Sequence, residues 1–391
     1  CEHIRYNKKM LKGWMKPERR RADPPFSILG ARAEIRYQPL GVVGIISPWN
    51  APISLSFGGA VDAIAAGNRV MLKPSEHTPN TSALMQELVE KYFDRSEFAV
   101  VVGGTEASIA FSKLPFDHLL YTGSTEIGKS IMAAAAEHLV PVTLELGGKS
   151  PTIVFDDADI EVALAGILFG VFSSTGQSCI AGSRLFVQRG IYDAFVPRLV
   201  AATKRLRVGH PFAEGTQVAS LIHQDHRDEV AGHVARALED GGRLLCGGGA
   251  PDGAEYAEGS YYLPTIIEGL GNDARLCRDE VFGPVLAVLP FDGEDEVIAQ
   301  GNDNDYGLAC GIWTRDFPRA WRVARAIRAG TVWINTYKQF SISTPFGGDG
   351  ASGIGREKGR QGLRAYMRQK AIYADLTGAP HPWAADVVRA S

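Results

Sequence analysis

Residues 142–151 read VTLELGGKSP: an apolar segment ends in a glutamate, and a pair of glycines follows at once. Residues 140–144 are typical of a short buried strand, and residues 152–155 are typical of the strand that comes next. Glycine allows sharp turns and close approach of the backbone to other groups, so Gly147 and Gly148 indicate a break between two structural units. We therefore place a domain boundary near Gly147.

On both sides of this boundary, short apolar strands alternate with segments of helical period. The other predicted strands are residues 41–46, 69–72, 98–102, 117–122, 184–187, 285–290, 308–313 and 331–335. The predicted helices are residues 55–66, 81–93, 124–138, 160–172 and 192–207. Alternation of this kind predicts an α/β protein with two doubly wound parallel-sheet domains, each with helices on both faces.

The predicted organisation has three parts. Residues 1–146 form the first domain, with an additional strand at about residues 31–39. Residues 147–355 form the second domain, and residues 356–391 form a C-terminal return.

A small β arm is predicted outside the two domains. The tail residues 364–376 contain a strand-like stretch, which we expect to pair with residues 33–38 as a two-stranded arm. Exposed strand edges usually pair with another chain, so the arm indicates a homo-oligomer.

Composition excludes several classes of function. The 391 residues include 41 basic and 44 acidic side chains, for a net charge of −3, which excludes a polybasic surface for nucleic acid or anionic membranes. The apolar runs fall short of the ~20 residues that a membrane span needs. The five cysteines form no CxxC pair, which argues against a disulfide framework or a zinc site and favours a reducing compartment, the cytoplasm.

Residues 123–130, GSTEIGKS, match the phosphate-binding pattern GxxxxGK[ST] after a predicted strand and at the start of a predicted helix. One interpretation is a nucleotide hydrolase. The alternative is a Gly-Ser turn whose N–H groups, at the positive end of a helix dipole, bind the phosphates of a dinucleotide. No GxGxxG fingerprint is present.

Three residues are candidates for chemistry. Cys179 lies among small and polar residues in FSSTGQSCIAG, which is typical of a presented nucleophile, although a packed structural cysteine is the alternative. Glu145 ends an apolar strand, so burial should raise its pKa towards that of a general base; an ion pair with Lys149 is the alternative. Asn50 follows a buried strand, where open α/β sheets place ligand-binding groups, or it forms a turn between prolines.

Together these segments resemble the aldehyde dehydrogenase superfamily, from about residue 40 to residue 370. Residues 144–151 are similar to the family's glutamate signature, and residues 172–180 to its cysteine signature. Further matching segments, in the family's order, are ISPWN at 46–50, KPSE at 73–76, EVFGP at 280–284 and PFGG at 345–348.

The resemblance implies NAD-dependent oxidation of an aldehyde to a carboxylic acid. Cys179 would form the thiohemiacetal, Asn50 would bind the oxyanion, and Glu145 would activate the water that hydrolyses the thioester. The implied NAD site consists of Ile46, Ser47, Pro48, Trp49, Lys73, Ser75, Glu76, Gly103, Gly123, Ser124, Ile127, Leu146, Gly147, Glu280 and Phe282.

The resemblance also bears on cofactor, substrate and assembly. Glu76 can accept a hydrogen bond from a ribose 2′-hydroxyl but repels a 2′-phosphate, which favours NAD over NADP. No Arg or Lys can be placed at the substrate mouth from sequence, which favours a bulky apolar or aromatic aldehyde. The first residues are typical of a helix already under way, so we expect an N-terminally incomplete cofactor domain. Family members form homodimers or homotetramers, and we expect the same here.

Overall fold

A computed structural model describes residues 2–24, 26–378 and 381–389. The helices are α1 (Glu2–Trp14), α2 (Pro52–Ala65), α3 (Pro79–Tyr92), α4 (Thr105–Ser112), α5 (Thr125–Ala136), α6 (Ile160–Phe172), α7 (Arg189–Thr203), α8 (Gln224–Glu239), α9 (Arg275–Arg278), α10 (Glu294–Asn302), α11 (Phe317–Ala326), α12 (Gly359–Ala365) and α13 (Pro382–Arg389). The strands are β1 (Glu18–Arg20), β2 (Arg32–Pro39), β3 (Val42–Ile46), β4 (Arg69–Lys73), β5 (Phe98–Val100), β6 (His118–Thr122), β7 (Val142–Glu145), β8 (Pro151–Val154), β9 (Arg184–Gln188), β10 (Arg243–Cys246), β11 (Thr265–Glu268), β12 (Val285–Phe291), β13 (Tyr306–Gly307), β14 (Ala309–Trp313), β15 (Thr331–Ile334), β16 (Asp349–Gly350), β17 (Gly353–Ile354) and β18 (Met367–Ala374).

The first large sheet has the strand order β17-β7-β6-β3-β4-β5. All neighbours are parallel except β17, which runs antiparallel to β7. The order reverses direction between β3 and β6, and ligands bind beyond the carboxyl ends of the strands at such a point. Ser47 and Gly123 follow these two strands. The topology therefore predicts a ligand site at the loops that they begin.

The second large sheet has the order β10-β11-β12-β9-β8-β14-β15, parallel except for β10. Successive residues of β8 face opposite cores: Val154 packs in one apolar cluster, while Ile153 and Phe155 pack in the other. Burial on both faces explains why these strands are continuous apolar runs rather than alternating ones. The predicted α/β class with two doubly wound parallel sheets is confirmed.

The domain boundaries predicted from sequence stay a prediction, but the chain connects the two sheets more than once. Between β7 and β8, residues 146–150 lead from the first sheet to the second. Later, β17 returns and pairs with β7, where Gly353 lies opposite Glu145. Gly353 adopts a φ of +136°, and a Cβ there would lie 1.9 Å from the Leu144 carbonyl oxygen, so only glycine fits.

The arm has three strands rather than the two that we predicted. Strand β18 pairs antiparallel with β2, from Met367 opposite Pro39 to Ala374 opposite Arg32. Strand β1 adds to the other side of β2. The third strand was missed because Glu18–Arg20 is wholly charged and has no apolar alternation.

In the described part of the chain, no helix combines the length and the apolar character that crossing a membrane requires. Cys179, Cys246, Cys277 and Cys310 are all free thiols, and Cys1 lies outside the described residues.

Candidate active site

A cavity of about 280 Å³ lies beyond the carboxyl ends of β3, β6 and β7. It brings together a large part of the residue set predicted from sequence. The predicted residues that line it are Pro48, Trp49, Asn50, Gly123, Ser124, Glu145, Leu146, Gly147, Cys179, Glu280 and Phe282. Leu55, Thr122, His226, Glu229, His233 and Val281 complete the wall.

Cys179 is presented by a strained loop. Helix α6 ends at Phe172, and the turn that follows holds Ser174 and Thr175 at φ of 54° and 56°. A left-handed backbone is costly for non-glycine residues and persists only where the surroundings enforce it. Here the Thr175 hydroxyl exchanges hydrogen bonds of 3.2 Å with both backbone groups of Ala219, which fixes the turn.

Asn50 is directed at the same loop. Its Nδ2 donates to the Gln177 carbonyl at 3.0 Å, two residues before Cys179. The Gln177 side chain in turn accepts from the Ile222 N–H at 2.9 Å. One amide hydrogen of Asn50 therefore holds the loop that carries Cys179, and the second remains for another acceptor.

The Cys179 thiol is strongly disfavoured as a thiolate. Burial, followed by the nearby carboxylates of Glu280 and Glu145, raises its pKa to about 12. Since the thiolate is the nucleophile, a thiol in this state needs a base to remove its proton.

Glu145 is a buried carboxyl with both oxygens free of hydrogen-bond partners among the described residues. Burial raises its pKa well above the ordinary value, and the nearby Glu357 charge raises it further. Among the ion pairs of the described residues, none joins Glu145 to Lys149. The groups that interact electrostatically with the fully buried Lys149 ammonium include Cys277 and Glu280. The geometry therefore does not favour an ion pair with Lys149 as the role of Glu145.

Aromatic rings and a buried carboxyl form the other side of the cavity. Trp49 meets Phe282 edge to face at 5.4 Å and His226 at 5.8 Å. Glu280 accepts from the Gly148 N–H at 3.0 Å, and burial raises its pKa to about 7.

The remaining predicted NAD residues lie outside this cavity. Lys73 ends β4, is buried, and donates to the Pro74 carbonyl at 2.7 Å, with Glu76 Oε2 at 3.6 Å. Ser75 is buried beside them. Ile46 and Ser47 are buried at the end of β3, whereas Ile127 is exposed on α5, and Gly103 precedes α4.

The structure does not favour the interpretation of residues 123–130 as the phosphate-binding loop of a nucleotide hydrolase. Lys129 is exposed on α5, and its Nζ pairs with Glu126 at 2.7 Å. Ser130 donates back to the Glu126 carbonyl at 3.3 Å. Neither side chain lines the cavity, whereas Gly123 and Ser124 do, which favours the dinucleotide alternative.

Sequence reasoning missed three charged residues close to the site. Glu357 is buried and influences Glu145. Lys338 and Lys358 are half-buried, and burial lowers the pKa of Lys338 to about 8 and that of Lys358 below its ordinary value. Both lie near enough to Cys179 for a thiolate there to oppose this lowering. These two lysines could not be placed near the site from sequence, because residues 338–358 join it only through folding.

A doubly wound sheet whose crevice lies beside a cysteine and a buried glutamate is the arrangement expected of a dinucleotide-dependent dehydrogenase. The sequence profile of the aldehyde dehydrogenase family matches residues 2–372, and this chain belongs to that family. It is an aldehyde dehydrogenase.

Named relatives agree with this assignment. The chain is 42% identical over 360 residues to a betaine aldehyde dehydrogenase from Brucella anthropi, covering 90% of this chain and 73% of the relative. HpcC from Thermus thermophilus superimposes with a TM-score of 0.93 at 38% identity, covering 97% of this chain and 74% of the other. A crystal structure of PnpE with nicotinamide adenine dinucleotide superimposes with a TM-score of 0.91 at 37% identity, covering 97% and 78%.

The approach of the β7–β8 loop to the cysteine gives a test. A Cβ on Gly148 would lie 2.3 Å from the Cys179 carbonyl oxygen, so Gly148→Ala must displace the loop that carries Cys179. We expect kcat to fall roughly 10- to 100-fold, because misplacing a reacting group by about 1 Å has that effect. Steady-state NADH formation measures it.

Gly13→Ala is the matched control, since nothing lies within 4 Å of a Cβ built at Gly13 on helix α1. This variant should keep its kcat. Equal rates for Gly148→Ala and the unsubstituted chain would show that the loop tolerates the extra methyl group.

Proposed function

We propose that this chain oxidises an aldehyde to a carboxylic acid by covalent catalysis, with Cys179 as nucleophile, Asn50 as oxyanion donor and Glu145 as base. The observation that carries the proposal is that these three side chains, distant in sequence, line one cavity. A family member need not retain them, so their convergence supports an active centre rather than a structural role.

The residues around the crevice suit NAD. Helix α5 begins after Ser124, whose side chain makes no capping hydrogen bond, so the first N–H groups of α5 are available to a phosphate. Gly123 has no room for a Cβ, which would lie 2.2 Å from the Tyr121 hydroxyl. Ile46, Trp49, Lys73, Glu76 and the other predicted positions would hold the remainder of the dinucleotide. When bound, NAD supplies an acceptor for the hydride that leaves the substrate carbon.

The first half of the reaction is an addition by the cysteine. Glu145, with no hydrogen bond to either oxygen, takes the thiol proton as the Cys179 sulfur bonds to the aldehyde carbon. The carbonyl oxygen gains a negative charge, which Asn50 Nδ2 and the Cys179 backbone N–H stabilise. Such donors contribute about 3–4 kcal/mol each.

The second half is hydrolysis. Once the substrate carbon has lost its hydride, Cys179 carries a thioester, and Glu145 releases the thiol proton to solvent and is ionised again. Glu145 then removes a proton from water, the water oxygen bonds to the acyl carbon, and the carbon–sulfur bond breaks. The acid departs, and the Cys179 thiolate takes the proton that Glu145 removed from water. A free thiol in this role requires a reducing compartment, and we propose the cytoplasm.

Two substitutions test the assigned roles. Cys179→Ser should abolish aldehyde-dependent NADH formation, because serine lacks a comparably reactive anion. Glu145→Gln should lower kcat roughly 10²–10⁴-fold, the usual contribution of a general base. Both variants should still be stabilised against thermal unfolding by NAD, which separates lost chemistry from lost folding.

Cys246→Ser is the matched control, since Cys246 is buried in the core and does not line the cavity. It should turn over aldehyde at the normal rate. Substantial turnover by Cys179→Ser would remove Cys179 from the nucleophile role.

Glu357 gives a prediction about pH. Glu145 acts as a base only when ionised, so its raised pKa makes activity increase as pH rises through that value. Glu357, whose own pKa burial raises to about 7, adds repulsion once ionised. Glu357→Gln removes that charge, and the acid limb of the kcat profile should shift to lower pH.

Glu87→Gln, which neutralises an exposed carboxyl on α3, should leave the profile in place. An unchanged acid limb in Glu357→Gln would mean that the Glu357 charge does not reach Glu145.

We also propose that the chain forms a homodimer or homotetramer through its arm. Strand β18 is an edge strand, and the arm exposes Ile372 and Tyr373. An exposed apolar edge of this kind usually pairs with another chain.

Replacing both side chains with lysine (Ile372→Lys, Tyr373→Lys) should lower the assembled mass measured by light scattering, because edge lysines block strand pairing. Leu84→Lys, an equally exposed apolar position on α3, should leave the mass unchanged. An arm variant with the original mass would place the interface elsewhere.

A further inference from the structure

We propose that Lys338 and Lys358 bind an anionic group of the substrate, so that the preferred substrates are aldehydes with an apolar or aromatic body and a carboxylate. This proposal rests on the proposed function, because it concerns what reaches Cys179. It adds a carboxylate to the bulky apolar or aromatic aldehyde that the sequence favours.

Lys338 belongs to the surroundings of the nucleophile loop. Its Nζ donates to the Ser173 hydroxyl at 2.8 Å, and Ser173 begins the turn that leads to Cys179. The ammonium also lies 5.7 Å from the centre of the Phe169 ring, which is half exposed on α6. The preceding residue, Tyr337, is buried in the core that Cys179 packs against, which anchors the lysine there.

Lys358 lies over two further aromatic rings. Its Nζ is 4.1 Å from the centre of Phe340 and 4.9 Å from that of Phe346. Phe346 packs against the same core cluster as Cys179.

The cavity that Lys358 lines adjoins the one that contains Cys179. Lys358 forms part of the wall of a space of about 390 Å³, together with the apolar side chains of Ile53, Phe57 and Ile342. Leu55 lines both this space and the Cys179 cavity. The polar residues His3, Asp62 and Glu357 also line this space. A substrate body that reaches Cys179 past Leu55 would therefore have apolar side chains and Lys358 beside it.

Both cations lack a carboxylate partner. Among the ion pairs of the described residues, neither Lys338 nor Lys358 appears, whereas the buried Lys73 pairs with Glu76. Glu357, Glu145 and Asp62 lie near Lys358. Burial raises the pKa of Glu357 and Glu145 and so favours their neutral forms, whereas the Asp62 side chain is hydrogen-bonded to Asn7 and His3. Half-buried charges without partners are unfavourable, and an anionic ligand would satisfy them.

The backbone supports the same conclusion. Lys338 and Lys358 have φ of +55° and +63°, a region that glycine adopts at lower cost. Strained positions of this kind cluster at ligand-binding sites. Each lysine also lies over aromatic side chains, Lys338 over Phe169 and Lys358 over Phe340 and Phe346.

The test compares three aldehydes of one shape: para-formylbenzoate, para-methylbenzaldehyde and the permanently cationic para-trimethylammonio-benzaldehyde. We expect kcat/KM to be at least about tenfold higher for the carboxylate than for the methyl compound, and lowest for the cation. Raising the salt concentration should reduce the preference, because ions screen the attraction.

Lys338→Met should lower kcat/KM for the carboxylate at least about tenfold more than for the methyl compound, mainly through KM. Lys338→Arg should restore the preference, which a merely structural role would not require. Lys91→Met is the control. The Lys91 Nζ also lies over an aromatic ring, 5.4 Å from the centre of Tyr92, but Lys91 is in the last turn of α3 and is not among the buried residues of that helix. It should keep the preference of the unsubstituted chain.

Equal kcat/KM for all three aldehydes, or an equal loss for all three in Lys338→Met, would overturn the proposal while leaving the proposed function intact. Failure of the proposed function looks different: no aldehyde would yield NADH, or Cys179→Ser would match the unsubstituted chain.

Discussion

The site depends on one close approach of two backbone segments. Gly147 and Gly148 lead from the first sheet to the second between the Glu280 carboxyl and the Cys179 carbonyl, where Cβ atoms would lie 2.2 and 2.3 Å from those groups. This contact sets the distance between the strand that ends in Glu145 and the loop that presents Cys179. Because backbone atoms occupy the gap on the Cys179 side, no side-chain rotation can relieve an added methyl group there.

The second constraint is desolvation. Burial raises the pKa of Glu145, Glu280 and Glu357. Glu280 and Glu145 lie near a thiol that burial also keeps protonated, and Glu357 lies near Glu145. Neutral acids near a neutral thiol cost the fold less than ionised ones. Glu145 can accept a proton only when it is ionised. The fold is therefore more stable with Glu145 neutral, whereas its proposed role as a base requires the ionised form.

Much of the fold could be predicted because it follows from local pattern. Strands buried on both faces read as apolar runs, and helix α6, predicted over residues 160–172, has those bounds in the structure. Helix α4 was not predicted, since its eight residues lie between glycine and lysine and bury little beyond Phe111. The candidate site residues in short motifs could be named for the same local reason.

What could not be predicted depends on contacts between distant segments. Ser173 and Lys338 are 165 positions apart, and no property of either neighbourhood indicates that they meet. Lys338 and Lys358 also influence Cys179. A thiolate at Cys179 and the two ammonium groups stabilise one another, whereas Glu145 and Glu280 disfavour that thiolate. An anionic substrate group held by the lysines would compete for this stabilisation. The two lysines can therefore stabilise both charges only if the substrate carboxylate lies away from the Cys179 sulfur. This favours an aldehyde in which a rigid apolar body separates the carboxylate from the reacting carbon.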